Sequence, residues 1–358
     1  MNKKKDKATI VDLFSGCGGL SRGFIDAGFD VVLGVDNDAA SLATFKLNHE
    51  NSETLLLDLF QKDAVQKIKQ TIGNKKVDVI VAGPPCQGFS LTGSRNFDDK
   101  RNRLYLSVIE AVKELKPKAF LIENVPGLAT LYGGTVKDEI VKRLTALGYN
   151  VNFKVLSAAD YGVPQIRRRV VFVGFQKRYG KFEFPDPVRS SKDYVTTSDA
   201  ISDLPSRIKE LGSEEDKYIS PAKTEYQKLM RKKSKVLYNH VASKHGDLVK
   251  SVIAHVPEGG NYKDLPPGMG ESRKFHVAWT RYHSKKPSST IDTGHRNHFH
   301  YAYDRVPTVR ENARLQSFPD DFRFVGTRTD QNRQVGNAVP PMLGYHIGRK
   351  IMALLNKK

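Results

Sequence analysis

The segment VDVIVAGPPCQGFS (residues 77–90) decides the fold of this 358-residue chain. Residues 77–82 have the composition of a buried β-strand, and the prolines and glycines that follow end this strand in a loop. The loop carries Cys86, one of only two cysteines. In open α/β sheets, ligands bind at the carboxyl ends of strands, so a thiol there is a candidate nucleophile. Considered alone, a cysteine in such a turn is more often a small buried residue than a nucleophile.

The flanking sequence repeats a pattern of strand followed by helix. The pattern predicts strands at 8–14, 31–35, 54–57, 77–82, 119–122, 151–156 and 170–175, and helices at 20–27, 39–47, 64–72, 104–115 and 136–147. Strands that alternate with helices of this length indicate βαβ units. We therefore expect an α/β fold with a mostly parallel sheet.

The composition bounds the partners of the chain. Lys and Arg outnumber Asp and Glu by 58 to 39, a formal charge of +19 that favours nucleic acid, although a soluble basic protein would have the same composition. Two cysteines are too few for a disulfide framework or a Cys-rich zinc site, and the ten histidines show no metal-binding spacing. We expect no metal. No stretch approaches ~20 apolar residues, so we expect no membrane span and a cytoplasmic location.

The ends of the first three strands predict a nucleoside site. DLFSGCGG (12–19) is a glycine-rich turn before a helix, Asp36 ends the second strand, and Asp58 follows the third. A carboxylate at the second strand end commonly binds a ribose diol, although both acids could be solvated loop residues. The turn is neither a dinucleotide fingerprint nor a Walker loop. A nucleoside ligand without phosphates, such as S-adenosylmethionine, fits a site with this glycine-rich turn and these two carboxylates.

Two further segments carry charged groups toward the same sheet edge. Glu123 directly follows strand 119–122, and a partly buried acid there can donate a proton. In QIRRRV (165–170), Arg167 and Arg169 are two apart and would share one face of a strand, while Arg168 would face away. A solvated basic strand is the alternative interpretation of this run.

Eight motifs in order resemble those of the DNA cytosine-C5 methyltransferases. They are DLFSGCGG (12–19), the Asp of GVDND (34–38), Asp58, GPPCQGFS (83–90), ENV (123–125), QIRRRV (165–170), TVRENARLQSFPDDF (308–322) and RQVGNAVPP (333–341). Only about 185–285, which is polar, basic and irregular, falls outside the match, at the position of that family's variable target-recognition region.

The resemblance implies a Rossmann-like, S-adenosylmethionine-dependent methyltransferase domain and a smaller target-recognition domain. We expect a catalytic domain over 1–184 and a target-recognition domain over 185–325, with its variable part at about 185–285 and its ordered motif at 308–322. Residues 326–358 would return to the catalytic domain. Helices are expected at 225–232 and 341–355. The basic run of Arg231, Lys232, Lys233 and Lys235 would either contact phosphates or form a solvated helix face.

The resemblance also implies the site residues. The catalytic set would be Cys86, Glu123, Arg167 and Arg169. The cofactor-binding set would be Phe14, Gly16, Cys17, Gly19, Leu20, Asp36, Asn37, Asp58, Leu59, Pro85, Leu104, Asn337 and Ala338. The Asp36–Asn37 pair stands where members of the family often have Glu and an aromatic residue. This departure keeps the carboxylate and weakens the expected stacking on adenine.

The implied reaction is methylation of a flipped-out cytosine in a short duplex DNA sequence, through a covalent bond between Cys86 and C6 of the base. S-adenosylmethionine would be converted to S-adenosylhomocysteine. We expect a monomer on DNA, and the enzyme would be either the partner of a cognate restriction endonuclease that acts on the same site or an orphan methylase. The alternatives are an RNA methyltransferase, a non-catalytic DNA-binding protein, and a nicotinamide-dependent oxidoreductase, which lacks support because the pyrophosphate fingerprint is absent.

Overall fold

A computed structural model describes residues 7–85, 104–269, 279–294 and 297–357. Its contacts divide the chain into two compact units. The first unit comprises 1–157, 168–186 and 343–358, and the second comprises 158–167 and 187–342. Each unit is therefore assembled from separate stretches of sequence. The domain limits given above stay a prediction.

Among the described residues, the first unit contains one seven-stranded sheet in the order β3-β2-β1-β4-β5-β7-β6. The strands are β1 (Thr9–Leu13), β2 (Asp30–Asp36), β3 (Glu53–Leu56), β4 (Val79–Ala82), β5 (Ala119–Asn124), β6 (Tyr149–Ser157) and β7 (Arg168–Gln176). The helices between them are α1 (Gly19–Asp26), α2 (Ala39–Asn48), α3 (Ala64–Ile72), α4 (Leu104–Leu115), α5 (Gly127–Thr130) and α6 (Thr135–Ala146).

Strands β1 to β5 run parallel, whereas β7 is antiparallel to both β5 and β6. The sheet is thus mostly parallel, and the predicted fold class is confirmed. All residues of β4 and β5 are buried, as expected for central strands covered by helices on both faces. Edge strand β6 is only partly buried and exposes Phe153.

The strand order reverses between β1 and β4. From β1 the chain first builds β2 and β3 on one side, and it then places β4 on the other side of β1. Ligands of open α/β sheets bind in the crevice at such a switch point, outside the carboxyl ends of the strands. The glycine-rich turn after β1 and the Gly-Pro-Pro segment after β4 both begin at this edge, since Leu13 pairs with Ala82.

The second unit consists of short elements around two hydrophobic clusters. Its helices are α7 (Thr197–Ile201), α8 (Glu225–Arg231), α9 (Asp247–His255), α10 (Val309–Leu315) and α11 (Arg328–Asn337), and its two-residue strands are β8 (Glu215–Asp216), β9 (Leu237–Tyr238), β10 (Thr280–Arg281) and β11 (His298–Phe299). One cluster contains Ile201, Tyr226 and Leu315. The other contains Ile253, Val256 and Phe299, with Trp279 packed against it. The variable region is therefore folded where it is described.

The last helix, α12 (Pro341–Asn356), packs closely on α1 within the first unit. Gly344 and Gly348 lie one turn apart and face α1. A Cβ atom at Gly344 would lie 3.2 Å from a side-chain carbon of Leu20, and one at Gly348 would lie 3.0 Å from the Cβ of Ala27. The two glycines thus permit this close approach.

Candidate active site

The glycine-rich turn that leaves β1 has a backbone that only a few residue types adopt. Phe14, Gly16 and Gly18 have φ angles of 57°, 52° and 90°, all in the left-handed region. A Cβ atom at Gly18 would lie 2.2 Å from Nε2 of His49, so no other residue fits there without rearrangement. The turn leads directly into α1, which begins at Gly19.

Asp36 joins the end of β2 to this turn. One carboxylate oxygen accepts a hydrogen bond from the N–H of Gly16 at 2.8 Å, and the other accepts from the N–H of Asp38 at 2.9 Å. Burial raises the pKa of Asp36 from its ordinary value. A carboxylate beside a glycine turn at a helix start has the chemistry to bind a ribose diol, and this role of Asp36 stays a prediction.

Asp12 is a buried carboxyl group that was not among the predicted site residues. It lies within β1, and its carboxylate accepts a hydrogen bond from the Ser21 hydroxyl at 2.6 Å. Burial raises the pKa of Asp12 to about 7, and the nearby charge of Asp36 contributes to the increase. An acid inside an otherwise apolar strand was the signal that could have revealed it.

Of the two cysteines, Cys17 is among the residues that the structure describes and Cys86 is not. Cys17 is buried, and burial raises the pKa of its thiol to about 12, so this thiol stays protonated at neutral pH. It therefore suits the backbone role predicted for it and does not suit a nucleophile. Cys86 and the loop 86–103 lie outside the described residues.

The other predicted cofactor residues of the first unit differ in exposure. Asn37, Asp58 and Pro85 are exposed, whereas Leu20, Leu59 and Leu104 are buried. One oxygen of Asp58 accepts a hydrogen bond from the N–H of Phe60 at 3.0 Å. Gly19 is buried as the first residue of α1. Their assignment to the cofactor pocket stays a prediction.

Glu123 and Arg169 form an ion pair at the end of β5. Nε of Arg169 lies 2.9 Å from Oε1 of Glu123, and the two side chains are 13% and 11% exposed. Nη1 of Arg169 also donates to the carbonyl of Arg168 at 2.7 Å. A Cβ atom at Gly83 would lie 3.5 Å from Oε2 of Glu123, so the carboxylate lies beside the segment that leads to Cys86.

Asn124 holds that same segment. Its buried side-chain amide donates to the carbonyl of Pro84 at 2.9 Å, and its amide oxygen accepts from the N–H of Val125 at 2.8 Å. Pro84 precedes Cys86 by two residues. The end of β5 thus supplies both a charged group beside the β4 exit and a polar group that fixes the backbone of this exit.

Three predicted site residues belong to the second unit. Arg167 is buried, and its Nη2 donates to the carbonyl of Gly336 at 3.0 Å. The strand β7 begins at Arg168, one residue after Arg167, and Arg168 is exposed, so a shared face for Arg167 and Arg169 stays a prediction. Asn337 ends α11, and the carbonyl of Ala338 accepts a hydrogen bond from Gln316 at 2.7 Å.

The segment 308–322 contributes to a buried ionic network in the second unit. Arg305 binds both oxygens of Glu311 at 2.8 and 2.6 Å. Burial alone would raise the pKa of Glu311, but the positive charge of Arg305 lowers it overall. Arg314 binds both oxygens of Asp320 at 2.9 and 2.7 Å and also contacts Asp203. These buried charges are therefore paired within the unit.

The residues of the basic run at the end of α8 differ in their exposure. Arg231 forms an ion pair with Asp203 at 2.7 Å, lies 3.9 Å above the ring of Tyr218, and is only 13% exposed. A solvated helix face does not fit Arg231, so this interpretation of the run is wrong for this residue, whereas the phosphate contact stays a prediction. Lys232 and Lys235 are exposed.

Two further properties concern the part of the chain that the structure describes. No helix in it is long and apolar enough to cross a membrane. The same residues contain no group of three or more His, Cys, Asp or Glu side chains that could hold a metal ion.

The sheet, its switch point and the carboxylate beside a glycine-rich turn define a Rossmann-like methyltransferase fold. The chain belongs to the C-5 cytosine-specific DNA methylase family, whose model matches residues 8–353. It is therefore a DNA cytosine-5 methyltransferase of the restriction-modification type, and the predicted family and enzyme class are confirmed.

Several known proteins are similar over nearly the whole chain. Type II methyltransferase M1.HphI of Haemophilus parahaemolyticus is 39% identical and covers 97% of this chain and 87% of its own. Type II methyltransferase M.DdeI of Desulfomicrobium norvegicum is 35% identical, with 96% and 88% covered. A crystal structure from an E. coli prophage, described as a DNA modification methyltransferase, has a TM-score of 0.81 at 30% identity and covers 98% of this chain and 100% of its own.

Proposed function

We propose that this enzyme transfers a methyl group from S-adenosylmethionine to C5 of a flipped-out cytosine, through a covalent bond between Cys86 and C6. The observation that carries this proposal is the Glu123–Arg169 pair beside the exit of β4, together with the Asn124 contact to Pro84. These groups lie beside the segment that leads to the predicted nucleophile. The other thiol, Cys17, stays protonated at neutral pH because burial raises its pKa.

The residues present fit the proposed methyl donor. A Cβ atom at Gly16 would have no atom within 4 Å, so a ligand can approach the backbone of this left-handed turn, and Asp36 offers a carboxylate to a ribose diol. Asn337 and Ala338 are proposed to complete the pocket, as the family resemblance implies. When bound, S-adenosylmethionine supplies an electrophilic methyl group on a sulfonium.

The protein's own groups account for activation of the base. C5 of cytosine is a weak nucleophile until the Cys86 thiolate adds to C6 and makes C5 enamine-like. Glu123 would contact N3 and the exocyclic amine, which stabilises the charge that develops as the thiolate adds. Arg169 would bind O2 and orient Glu123 through the ion pair, while Arg167 would support the pocket. After methylation, loss of the C5 proton to a base breaks the bond between sulfur and C6.

The DNA must present the cytosine outside the helix. Flipping costs a few kcal/mol, which contacts in the enzyme have to offset. We propose that the segment 185–285 reads the target sequence and that the enzyme acts as a monomer on duplex DNA in the bacterial cytoplasm. A cognate restriction endonuclease would cleave the same sequence when it is unmethylated.

Covalent trapping tests the proposal. Bisulfite sequencing of DNA from cells that express the enzyme identifies the target, and a duplex with 5-fluorocytosine at that position is then synthesised. With S-adenosylmethionine, the enzyme should form a denaturation-resistant complex because fluorine cannot leave as a proton would. Cys86→Ser should form none.

The other cysteine provides the matched control. Cys17→Ala removes the second thiol and should still form the trapped complex when the methyl donor is saturating. Trapping by Cys86→Ser, or its absence only in Cys17→Ala, would refute the assignment of the nucleophile.

A further inference from the structure

A concavity of about 400 Å³ lies in the first unit, at the end of the sheet where β5 begins. Glu123 lies at the other end of that strand. The concavity forms where α3 and α4 end and where β4 and β5 begin, and residues at and after the end of β7 close it. Lys118 lies directly before β5 and precedes Glu123 by five residues. At about 3.3 Å per residue, the concavity is roughly 16 Å from the Glu123 end of that strand. We name it the basal cleft.

The lining of the basal cleft is strongly cationic. Six of its residues are Lys or Arg, and one, Glu114, is acidic. Glu114 pairs with Lys69 at 2.6 Å, and the neighbouring Asp78 pairs with Lys118 at 2.9 Å and lies 3.6 Å from Lys76. Two carboxylates therefore face six cations, and the cleft keeps a net positive charge.

The remaining cations are Lys75, Lys116 and Arg178, which are exposed and form no ion pair with any described residue. Cations at helix C-termini commonly offset the helix dipole, and this explains Lys69 in the last turn of α3. It does not explain Arg178, which lies in a single short turn after β7. Lys116 has a φ of 49° directly after α4, a position that favours glycine. A lysine is present there despite the backbone strain.

We infer that the basal cleft binds phosphate groups, with the backbone of a nucleic acid as the source that this DNA-acting enzyme meets. The concavity admits one phosphate group or a few, and duplex DNA would lie across its rim, held by Lys75, Lys116 and Arg178. The contact is independent of sequence because it involves no base edge. Its effect is added non-specific affinity and salt dependence. A free oligophosphate presents the same chemistry.

A triple variant, Lys75→Gln/Lys116→Gln/Arg178→Gln, tests the inference. The matched control is Lys142→Gln/Lys154→Gln/Lys350→Gln, which removes the same charge from exposed lysines elsewhere in the first unit.

The first probe is a duplex of about 20 A·T pairs. It contains no cytosine, and it is long enough to lie across the basal cleft. Its association constant is measured between about 50 and 200 mM salt, the range over which phosphate contacts change affinity most clearly. The cleft variant should bind this duplex at least about tenfold more weakly at low salt, and its slope of log K against log[salt] should fall by about 0.9 for each phosphate that the protein no longer neutralises.

The second probe, tripolyphosphate, separates the two sources of phosphate. If only the cleft variant has a shallower DNA slope, the cleft binds a nucleic acid backbone. If the DNA slopes agree but tripolyphosphate binds the parent and control and not the cleft variant, the cleft binds free phosphates. If the cleft and control variants are indistinguishable with both probes, the inference is overturned. Turnover on saturating target DNA should be unchanged in the cleft variant, which separates this site from the catalytic one.

Discussion

Asp12 and Asp36 of the first unit form no ion pair with any described residue, whereas Glu311 and Asp320 of the second unit are bonded to arginine. Asp12 and Asp36 rely on a hydroxyl and on backbone N–H groups, and burial raises their pKa values. Glu311 and Asp320 each bind an arginine through both oxygens, which lowers the pKa of Asp320 to about 2 despite burial. The difference indicates that the second unit pairs these buried carboxylates with arginine, whereas the carboxylate of Asp36, which is proposed to bind the ligand, is held by backbone N–H groups.

The largest expected effect comes from the second unit. Arg314→Met removes the cation between Asp203 and Asp320 and leaves two buried carboxylates short of positive charge. We expect the free energy of unfolding to fall by about 3–5 kcal/mol, measured by urea titration. Arg189→Met is the control, because its ion pair with Asp193 is exposed and should contribute little to stability. An equal decrease in both variants would contradict the distinction.

The second prediction concerns Asp12. Its pKa of about 7 exceeds the ordinary value of 3.8, so the folded state binds the proton more tightly than the unfolded state. The protonated Asp12 carboxyl is therefore compatible with the fold, and the full stability is present below about pH 4. Stability relative to the unfolded state is lost as the pH rises through about 7, because the buried group must then ionise. Asp12→Asn should therefore match the parent at about pH 4 and exceed its unfolding free energy by roughly 2–4 kcal/mol at about pH 8.

Urea unfolding at both pH values checks this difference. Asp30→Asn, at the exposed start of β2, is the matched control, because a substitution at an exposed position should alter the free energy of unfolding little. If Asp12→Asn were less stable than the parent by the same amount at both pH values, Asp12 would be ionised in the fold without penalty.

The third prediction concerns Asn124, whose side chain positions the backbone before Cys86, in contrast to residues that are proposed to bind the methyl donor. Asn124→Ala and Asn124→Asp both remove the donor to the carbonyl of Pro84, and Asp retains the acceptor for Val125. Both should lower kcat by about 10–100-fold, because a small misplacement of a reacting group is costly. The KM for the methyl donor should change little. Asn150→Ala, which removes an exposed hydrogen bond to Gly180, should keep the parent kcat.

Much of the first unit could be predicted from the sequence because its signals are local. The helix predicted at 64–72 has those bounds in the structure, and the strands differ by only a few residues. The antiparallel direction of β7 could not be predicted, since pairing depends on distant residues. Asp12 was missed because it is buried by the pairing of β1 with β2 and β4, which a local pattern does not show. The partners of Arg167 and Arg231, Gly336 and Asp203, lie 169 and 28 residues away, beyond any local pattern.

The affinity for S-adenosylmethionine tests most directly whether the first unit reserves Asp36 for the methyl donor. Calorimetry should compare the parent, Asp36→Ala, and Asp30→Ala at the other end of the same strand. Removal of a charged hydrogen bond to the ribose should weaken binding by about 1–3 kcal/mol, which raises the Kd roughly 5- to 150-fold for Asp36→Ala alone. A folded Asp36→Ala enzyme with the parent's Kd would contradict the account and place the ribose elsewhere.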